Sequence, residues 1–358
     1  MKILFISRAF PPVTGGIENQ NYALSVWLPK LTETRTLANR HGKNALPFFL
    51  PWVTLQALFL MPRYDVLLLG DGVLGITGWI VKLFHSASRK PVFCIVHGLD
   101  LTYQNSLYQS LWVKRFLPRL DGLIAVSRET ARLAEEHGFP LEKVVVIPNG
   151  VETDHASGDY SRADLERFLK EDLTNKRVLL TTGRLIKRKG GAWFVREVLP
   201  QLPGNTLYLL AGAGPEQANI EQAIQEKGVA HRVKLLGYVS EETKKLLLNT
   251  ADIFVQPNIP VPGDVEGFGI AVIEATACGL PVVASKLEGL TDAICENENG
   301  ILVSPLDSEA FRTAIVSLLD QEEERQNLGK RAKEYTESHF HWNLIARLYI
   351  ETLERKIK

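Results

Sequence analysis

The chain has 358 residues, 45% of them hydrophobic and 23% charged, with 41 basic and 41 acidic side chains. That length exceeds one ordinary domain and suits two, and a formal net charge of zero argues against general nucleic-acid binding. Three sparse cysteines, Cys94, Cys278 and Cys295, have neither disulfide-framework nor metal-ligand spacing, which fits a reducing cytoplasm.

The charge is unevenly placed. Residues 1–150 carry 16 Lys and Arg against 10 Asp and Glu, and the remainder carries 25 against 31. A basic first half favours an anionic partner there, either a phosphate-bearing substrate or a membrane surface, against scattered solvated charge.

In chain order, residues 3–6 read as a strand buried on both faces. The run is too short for a signal peptide and leads straight into a glycine loop. That loop, from Arg8 to Gly16, carries Gly15-Gly16, and a helical pattern opens at Glu18. Strand, glycine turn and helix form a phosphate-approach geometry, although a plain tight turn has the same sequence. Residues 45–61 are the most apolar stretch, interrupted by Pro47 and Pro51. Residues 52–60 of it read as a buried crossover helix feeding a strand at Val66–Leu69, with a membrane-dipping segment as the alternative.

Val92–Val96 is another buried strand, ending at His97-Gly98-Leu99-Asp100. A histidine at the carboxyl end of a parallel strand is placed to meet a substrate, or else is structural. Residues 107–119 interleave aromatics with Lys114, Arg115 and Arg119. They suit either an anionic lipid surface or packing on the sheet. Strands at 123–126 and 144–147 follow, then Pro148-Asn149-Gly150 and a polar interdomain link with a short helix over 152–176.

The second half repeats the plan. A strand at 178–180 runs into Thr182-Gly183-Arg184-Leu185-Ile186-Lys187-Arg188-Lys189-Gly190-Gly191. Its glycines and four cations are a strong anion signal, with Arg184 and Lys189 placed to stabilise charge on a leaving diphosphate, against a merely solvated basic loop. Further strands are expected at 206–210, 233–236, 253–255, 282–284 and Ile301–Val303. Ser240 reads as a helix cap with acids behind it. The last helix, 342–358, has one apolar face on Ile345, Leu348, Tyr349 and Leu353. The architecture expected is α/β: two doubly wound parallel sheets.

The stretch Asp264-Val265-Glu266-Gly267-Phe268-Gly269-Ile270-Ala271-Val272-Ile273-Glu274-Ala275 carries the most chemistry. It sets two glutamates seven residues apart around glycines and a helix start. An uncapped helix start offers N–H groups to a phosphate, the glycines permit close approach, and each carboxylate can accept from sugar hydroxyls. That is a plan for a nucleotide sugar, with a plain helix bearing two surface glutamates as the alternative.

With these residues in hand, the chain resembles glycosyltransferase family 4 of the GT-B fold over nearly its whole length. The resemblance rests on Gly15-Gly16, His97-Gly98, Pro148-Asn149-Gly150-Val151, Gly183-Arg184 with Lys189-Gly190, the two-glutamate segment, Cys278-Gly279-Leu280-Pro281 and Asn299-Gly300. It implies a first domain, 1–160, that holds the acceptor and is rejoined by the crossover helix 342–358. It implies a second domain, 171–341, that holds the nucleotide sugar across a closing cleft.

By the resemblance, Arg184 and Lys189 bind the diphosphate, next to Gly183. Glu274 holds the ribose. Glu266 and the backbone of Phe268, Gly269 and Ile270 hold the donor sugar. Gly15 and Gly16 approach the diphosphate, and His97 hydrogen-bonds the sugar near the reacting carbon. The implied enzyme is a retaining transferase of a hexose from a GDP- or UDP-linked donor to a glycan or lipid-linked acceptor. It needs no metal and no cofactor; the cysteine usage and the basic first half, not the resemblance, place it in the cytoplasm with peripheral contact at the inner membrane face. One departure weakens the loop after Ser285, where Gly289 stands alone. A sugar-nucleotide 2-epimerase and a non-catalytic sugar-nucleotide-binding subunit are the competing readings.

Overall fold

The computed structural model describes residues 1–13, 15–85, 90–152 and 159–357. The chain forms two compact units. One comprises Met1–Gly150, Gly263–Phe268 and Trp342–Lys358, and the other Val151–Pro262 with Gly269–His341. The polar stretch at 152–176 is therefore more than a link. Its helix Arg162–Leu169 belongs to the second unit, capped by Ser161 and Asp164, while residues 153–158 lie outside the described residues.

The first unit holds a six-stranded parallel sheet in the order β2-β1-β3-β4-β5-β6. Its strands are β1 Lys2–Ser7, β2 Glu33–Ala38, β3 Val66–Leu69, β4 Val92–Val96, β5 Gly122–Ala125 and β6 Val144–Val146. The strands β1, β3, β4 and β5 are almost wholly buried, as continuous apolar runs covered on both faces must be. Five of the six are the expected strands. The exception is β2, with the sequence ETRTLA, in a stretch to which the sequence reading assigned no strand. It is an edge strand with exposed and half-buried polar positions, so it lacks the apolar run that marks the others.

Helix α1, Gly16–Trp27, follows β1, and helix α2, Leu46–Leu60, follows β2. The expectation of a buried helix over residues 52–60, beginning only after the prolines, needs correction. The helix is longer and contains Pro51, whose missing N–H costs only the bond to the Pro47 carbonyl on an exposed turn. One face, with Phe49, Val53, Ala57 and Leu60, enters the core, and the other is in solvent. Helix α3, Gly75–Phe84, packs beside it, and the hydroxyls of Thr54 and Thr77 meet at 2.8 Å. Residues 106–119 are helical, but their aromatics turn inward. Trp112 Nε1 donates to the Val73 carbonyl at 2.7 Å, Trp112 stacks on Tyr108, and Phe116 is buried. Packing on the sheet, the second of the two readings for this patch, is the one observed. The last helix, Trp342–Ile357, lies in the same unit, where Gln20 Nε2 donates to the Tyr349 hydroxyl.

The second unit holds a parallel sheet in the order β12-β11-β10-β7-β8-β9. Its strands are β7 Arg177–Thr182, β8 Thr206–Ala211, β9 Val233–Gly237, β10 Ile253–Gln256, β11 Val282–Ser285 and β12 Ile301–Val303. All six fall where the sequence placed them. In both sheets the winding reverses direction once, between β1 and β3 and between β7 and β10. Ligands of open parallel sheets bind outside the carboxyl ends at such reversals.

Candidate active site

In the second unit the reversal lies between the ends of β7 and β10. Glycines let the loops leaving β7, β8 and β10 interlock. Gly183 N donates to the Ala211 carbonyl at 2.9 Å, and Leu185 N donates to that of Ala213 at 3.0 Å. Gly190 takes a left-handed φ of +68°, and a Cβ there would sit 1.8 Å from the Pro257 carbonyl oxygen, so only glycine fits. The Arg188 carbonyl accepts from Ile259 N at 2.8 Å, which ties the basic loop to the end of β10. On this anchored loop Arg184 is exposed, Lys189 half-buried and Arg188 buried. Three of the four expected cations thus reach toward solvent, while Arg188 belongs to the packing.

The helix Ile270–Ala277 begins at Gly269, which has φ +107° and no side-chain cap. Its first N–H groups point along the positive end of the helix dipole, the arrangement that receives an anion. One turn on, Glu274 is nearly buried and pairs with Lys244 at 3.0 Å, and Lys244 also reaches Glu241 at 2.9 Å. Burial alone would lower the Lys244 ammonium, but the facing carboxylates of Glu274 and Glu241 outweigh it and hold it above its ordinary value. Sequence reading missed Lys244. Nothing in Glu241-Glu242-Thr243-Lys244-Lys245 says which lysine turns inward.

In the first unit the reversal lies between β1 and β3. Arg8, just past β1, sets its Nε 2.7 Å from Asp71 Oδ1, just past β3. Asp71 also accepts from Val73 N at 2.9 Å, and its Oδ2 is buried without a hydrogen-bond partner among the described residues. Burial pushes the Asp71 carboxyl above its ordinary value while Arg8 pulls it back. Asp100, following β4, accepts from Gly72 N and His97 N at 3.2 and 3.1 Å. His97 Nε2 lies 3.0 Å from the Gly70 carbonyl oxygen. A carbonyl only accepts, so Nε2 carries the hydrogen and Nδ1 is left to accept or be protonated. Arg8 and Asp71 were not singled out from the sequence, although a Gly-Asp-Gly directly after a buried strand is a signal that could have found the second.

The stretch with two glutamates is divided between the units. Gly263–Phe268 packs with the first, where Thr102 Oγ1 donates to the Gly263 carbonyl at 3.3 Å. A Cβ on Gly267 would lie 2.5 Å from the His97 carbonyl oxygen, and Gly98 (φ +90°) faces Gly267. The two backbones therefore touch, which places Glu266 and Phe268, both buried, beside His97 rather than with the second sheet as the expected domain limits had it. The second unit holds together Gly183, Arg184, Lys189, Gly269, Ile270 and Glu274. Gly15 and Gly16 open α1 in the first unit, with the Glu18 carboxylate folded back over Gly15, while Thr14 of their loop lies outside the described residues.

Two family models match in succession: Glycosyltransferase Family 4 over residues 13–155 and Glycosyl transferases group 1 over residues 164–335. The chain is 28% identical to the amylovoran biosynthesis glycosyltransferase AmsK of Erwinia amylovora, over 93% of this chain and 81% of that protein. It is 26% identical to a GDP-mannose-dependent alpha-(1-6)-phosphatidylinositol monomannoside mannosyltransferase of Mycolicibacterium smegmatis, over 95% of each. The crystal structure of Anabaena HepE in complex with UDP-glucose superposes with a TM-score of 0.78 at 21% identity, covering 99% of this chain and 100% of that one.

Proposed function

The chain belongs to the GT-B glycosyltransferases, its first part to family 4 and its second to group 1, and on that premise we propose that it moves a hexose from a GDP- or UDP-linked donor to a hydroxyl of a glycan or lipid-linked acceptor. It is an enzyme of glycosyl transfer in polysaccharide or glycolipid synthesis, as its relatives are. The observation that carries the donor reading is the second sheet's reversal point. There an exposed Arg184, the anchored Lys189 loop, an uncapped helix start at Gly269 and the inward Glu274 gather on one unit.

Arg184 and Lys189 take the diphosphate, Glu274 the ribose hydroxyls, and the backbone of Phe268, Gly269 and Ile270 with Glu266 the donor sugar. His97 bonds the sugar near its anomeric carbon, and Gly15 and Gly16 leave room for the diphosphate. The bond from the anomeric carbon to the phosphate oxygen breaks, and the acceptor oxygen attacks from the same face. The acceptor proton passes to the departing phosphate oxygen, so configuration is retained. Cations on the diphosphate stabilise the charge that grows there, and no metal or cofactor takes part. The reaction is cytoplasmic, with the enzyme held peripherally at the membrane. Neither the epimerase nor the non-catalytic reading is favoured by relatives that are transferases.

The test is a thermal-shift panel with UDP, GDP, ADP and their sugars, followed by product analysis with candidate acceptors. A ligand at about a hundred times its dissociation constant adds about 2.7 kcal/mol. A shift with a uridine or guanosine diphosphate, lost in Lys189→Ala, supports the donor site. A folded protein that responds to none of them overturns it, and inversion of the sugar at C2 without transfer supports the epimerase.

A further inference from the structure

We infer that Asn21 is a positioning residue for His97, acting through the Gly70 carbonyl. The inference rests on the reading of His97 as the group that bonds the donor sugar.

Position 21 lies on α1 in line with Leu24 and Leu28, both fully buried, where an amphipathic helix calls for an apolar side chain. Asn21 is fully buried there as well. Its Nδ2 donates to Ser7 Oγ at 2.9 Å and to the Gly70 carbonyl at 3.2 Å. A carbonyl only accepts, so the amide cannot be turned round, and Oδ1 is left buried with no hydrogen-bond partner among the described residues. An orphaned acceptor in a core is a standing cost to the fold.

The neighbouring groups do not need the amide. Ser7 Oγ donates to the Ala9 carbonyl at 2.7 Å, and the Gly70 carbonyl also accepts from His97 Nε2 at 3.0 Å. A leucine at position 21 would therefore strand neither of them. What the amide alone supplies is a second grip on the carbonyl to which His97 is bonded.

Gly70 makes that grip both possible and necessary. A Cβ there would lie 2.6 Å from Asn21 Nδ2, so any larger residue would push the amide away. The same glycine gives the backbone just past β3 wide conformational freedom. Its N–H is tied to the Ile6 carbonyl at 2.8 Å, and its carbonyl is held between Asn21 and His97. The backbone of His97 is fixed separately, by its N–H on Asp100 Oδ2 at 3.1 Å. The ring is anchored on the Gly70 carbonyl, so the direction of that carbonyl sets the ring plane and keeps the proton on Nε2. Nδ1 is then the nitrogen left for a ligand.

The experiment compares wild type, Asn21→Leu and Asn21→Ala with nitrogen-15 in the histidine rings, His97 being assigned from the spectrum of His97→Gln. Spectra are taken at about pH 8, above the ordinary histidine value. No donor is added, so they do not depend on the transfer reading. Wild-type His97 should show one neutral tautomer protonated on Nε2, and both variants should show ring nitrogens averaged between tautomers. Asn21→Leu should melt at or above the wild-type temperature. With the UDP- or GDP-hexose that shifts the melting temperature, and water as acceptor, kcat for donor hydrolysis should fall about tenfold in Asn21→Leu while KM stays within about twofold. His97 signals unmoved in both variants, or a normal kcat in Asn21→Leu, overturn the proposal. So does an Asn21→Leu protein that melts well below wild type with its His97 signals in place, which makes the amide a structural partner. Normal turnover by His97→Gln would instead defeat the reading of His97 in transfer, while altered ring spectra would still assign Asn21 its hold on the ring.

Discussion

Arg8 and Asp71 face each other at 2.7 Å from strands that are neighbours in the first sheet but 63 residues apart in the chain. They meet because β1 and β3 flank the point where the sheet reverses its winding. The same geometry in the second sheet puts the Gly183–Gly190 loop against Pro257. Both units thus place charged or anion-seeking groups at the position that topology leaves open.

The pair has a testable energetic signature. Asp71 is fully buried and Arg8 nearly so. Arg8→Ala removes the ion partner of a carboxylate that cannot reach water, which costs about 3–5 kcal/mol. Arg8→Ala/Asp71→Asn removes the stranded charge as well and is expected to recover most of that loss. Denaturant titration of the three proteins checks it. A double variant no more stable than Arg8→Ala would show that Asp71 was not the source of the cost.

Arg184 separates stability from chemistry. Its side chain is exposed and makes no hydrogen bond or ion pair among the described residues. Arg184→Ala should therefore leave stability within about 0.5 kcal/mol. In the proposed role of a cation on the leaving diphosphate, its loss should lower kcat by about 10²–10³-fold. Steady-state kinetics at saturating donor decide it. An unchanged kcat with a raised KM would reduce Arg184 to uniform binding.

Glycines in this chain divide by what lies behind them. At Gly190 a Cβ would fall on a backbone carbonyl, at a positive φ as well, so Gly190→Ala should cost more than about 2 kcal/mol and loosen the Lys189 loop. A Cβ on Gly204 would meet nothing within 4 Å among the described residues, and Gly204→Ala should stay within about 0.5 kcal/mol. Melting curves of the two, with and without nucleotide, give the comparison.

The three thiols should differ in reactivity. Cys295 is exposed, whereas Cys94 is fully buried and its thiol is pushed well above its ordinary value by that burial. Burial, with Glu274 nearby, raises Cys278 to about 12. At pH 8 a single rapid equivalent of iodoacetamide is expected, mapping to Cys295 by mass spectrometry. Rapid labelling of Cys278 would show that the Glu274 region opens in solution.

Legibility in the sequence followed the physics of each element. The inner strands announced themselves because burial on both faces demands unbroken apolar runs, and Ser240 could be read as a cap because its hydroxyl has a fixed job three residues on, accepting from Thr243 N. The strand β2 was missed because an edge strand half in water needs no such run. Gly267 and Gly269 were read as leaving room for a ligand, but what Gly267 meets is the His97 carbonyl, and the close approach of Gly190 to Pro257 was not read at all, since topology brings both partners there. The solvent face of α2 was illegible for a related reason. An all-apolar helix reads as buried unless the structure shows that one side has nothing over it.

Lys244 supplies the prediction with a defined pH window. Its folded value is raised because the carboxylates of Glu274 and Glu241 outweigh the opposing effect of burial. A raised folded value means that the folded chain keeps the proton after the unfolded chain has lost it. The ammonium's contribution to stability is therefore complete below the unfolded value, near 10.4, and fades as pH climbs through the folded one. Wild type should exceed Lys244→Met in stability by a constant margin from pH 7 to about 9.5, and the margin should shrink above about 10.5. Denaturant titrations in matched buffers measure it, and a margin flat to high pH would assign the lysine's contribution to its apolar stem. The same variant tests the site, because Glu274 without Lys244 loses the group that holds its carboxylate in place. Nucleotide binding should weaken by about tenfold, the equivalent of 1.4 kcal/mol, while Lys244→Arg, which keeps a cation opposite Glu274, should restore part of it. Loss of stability with nucleotide affinity intact would leave Lys244 as a structural partner and remove Glu274 from the ribose site.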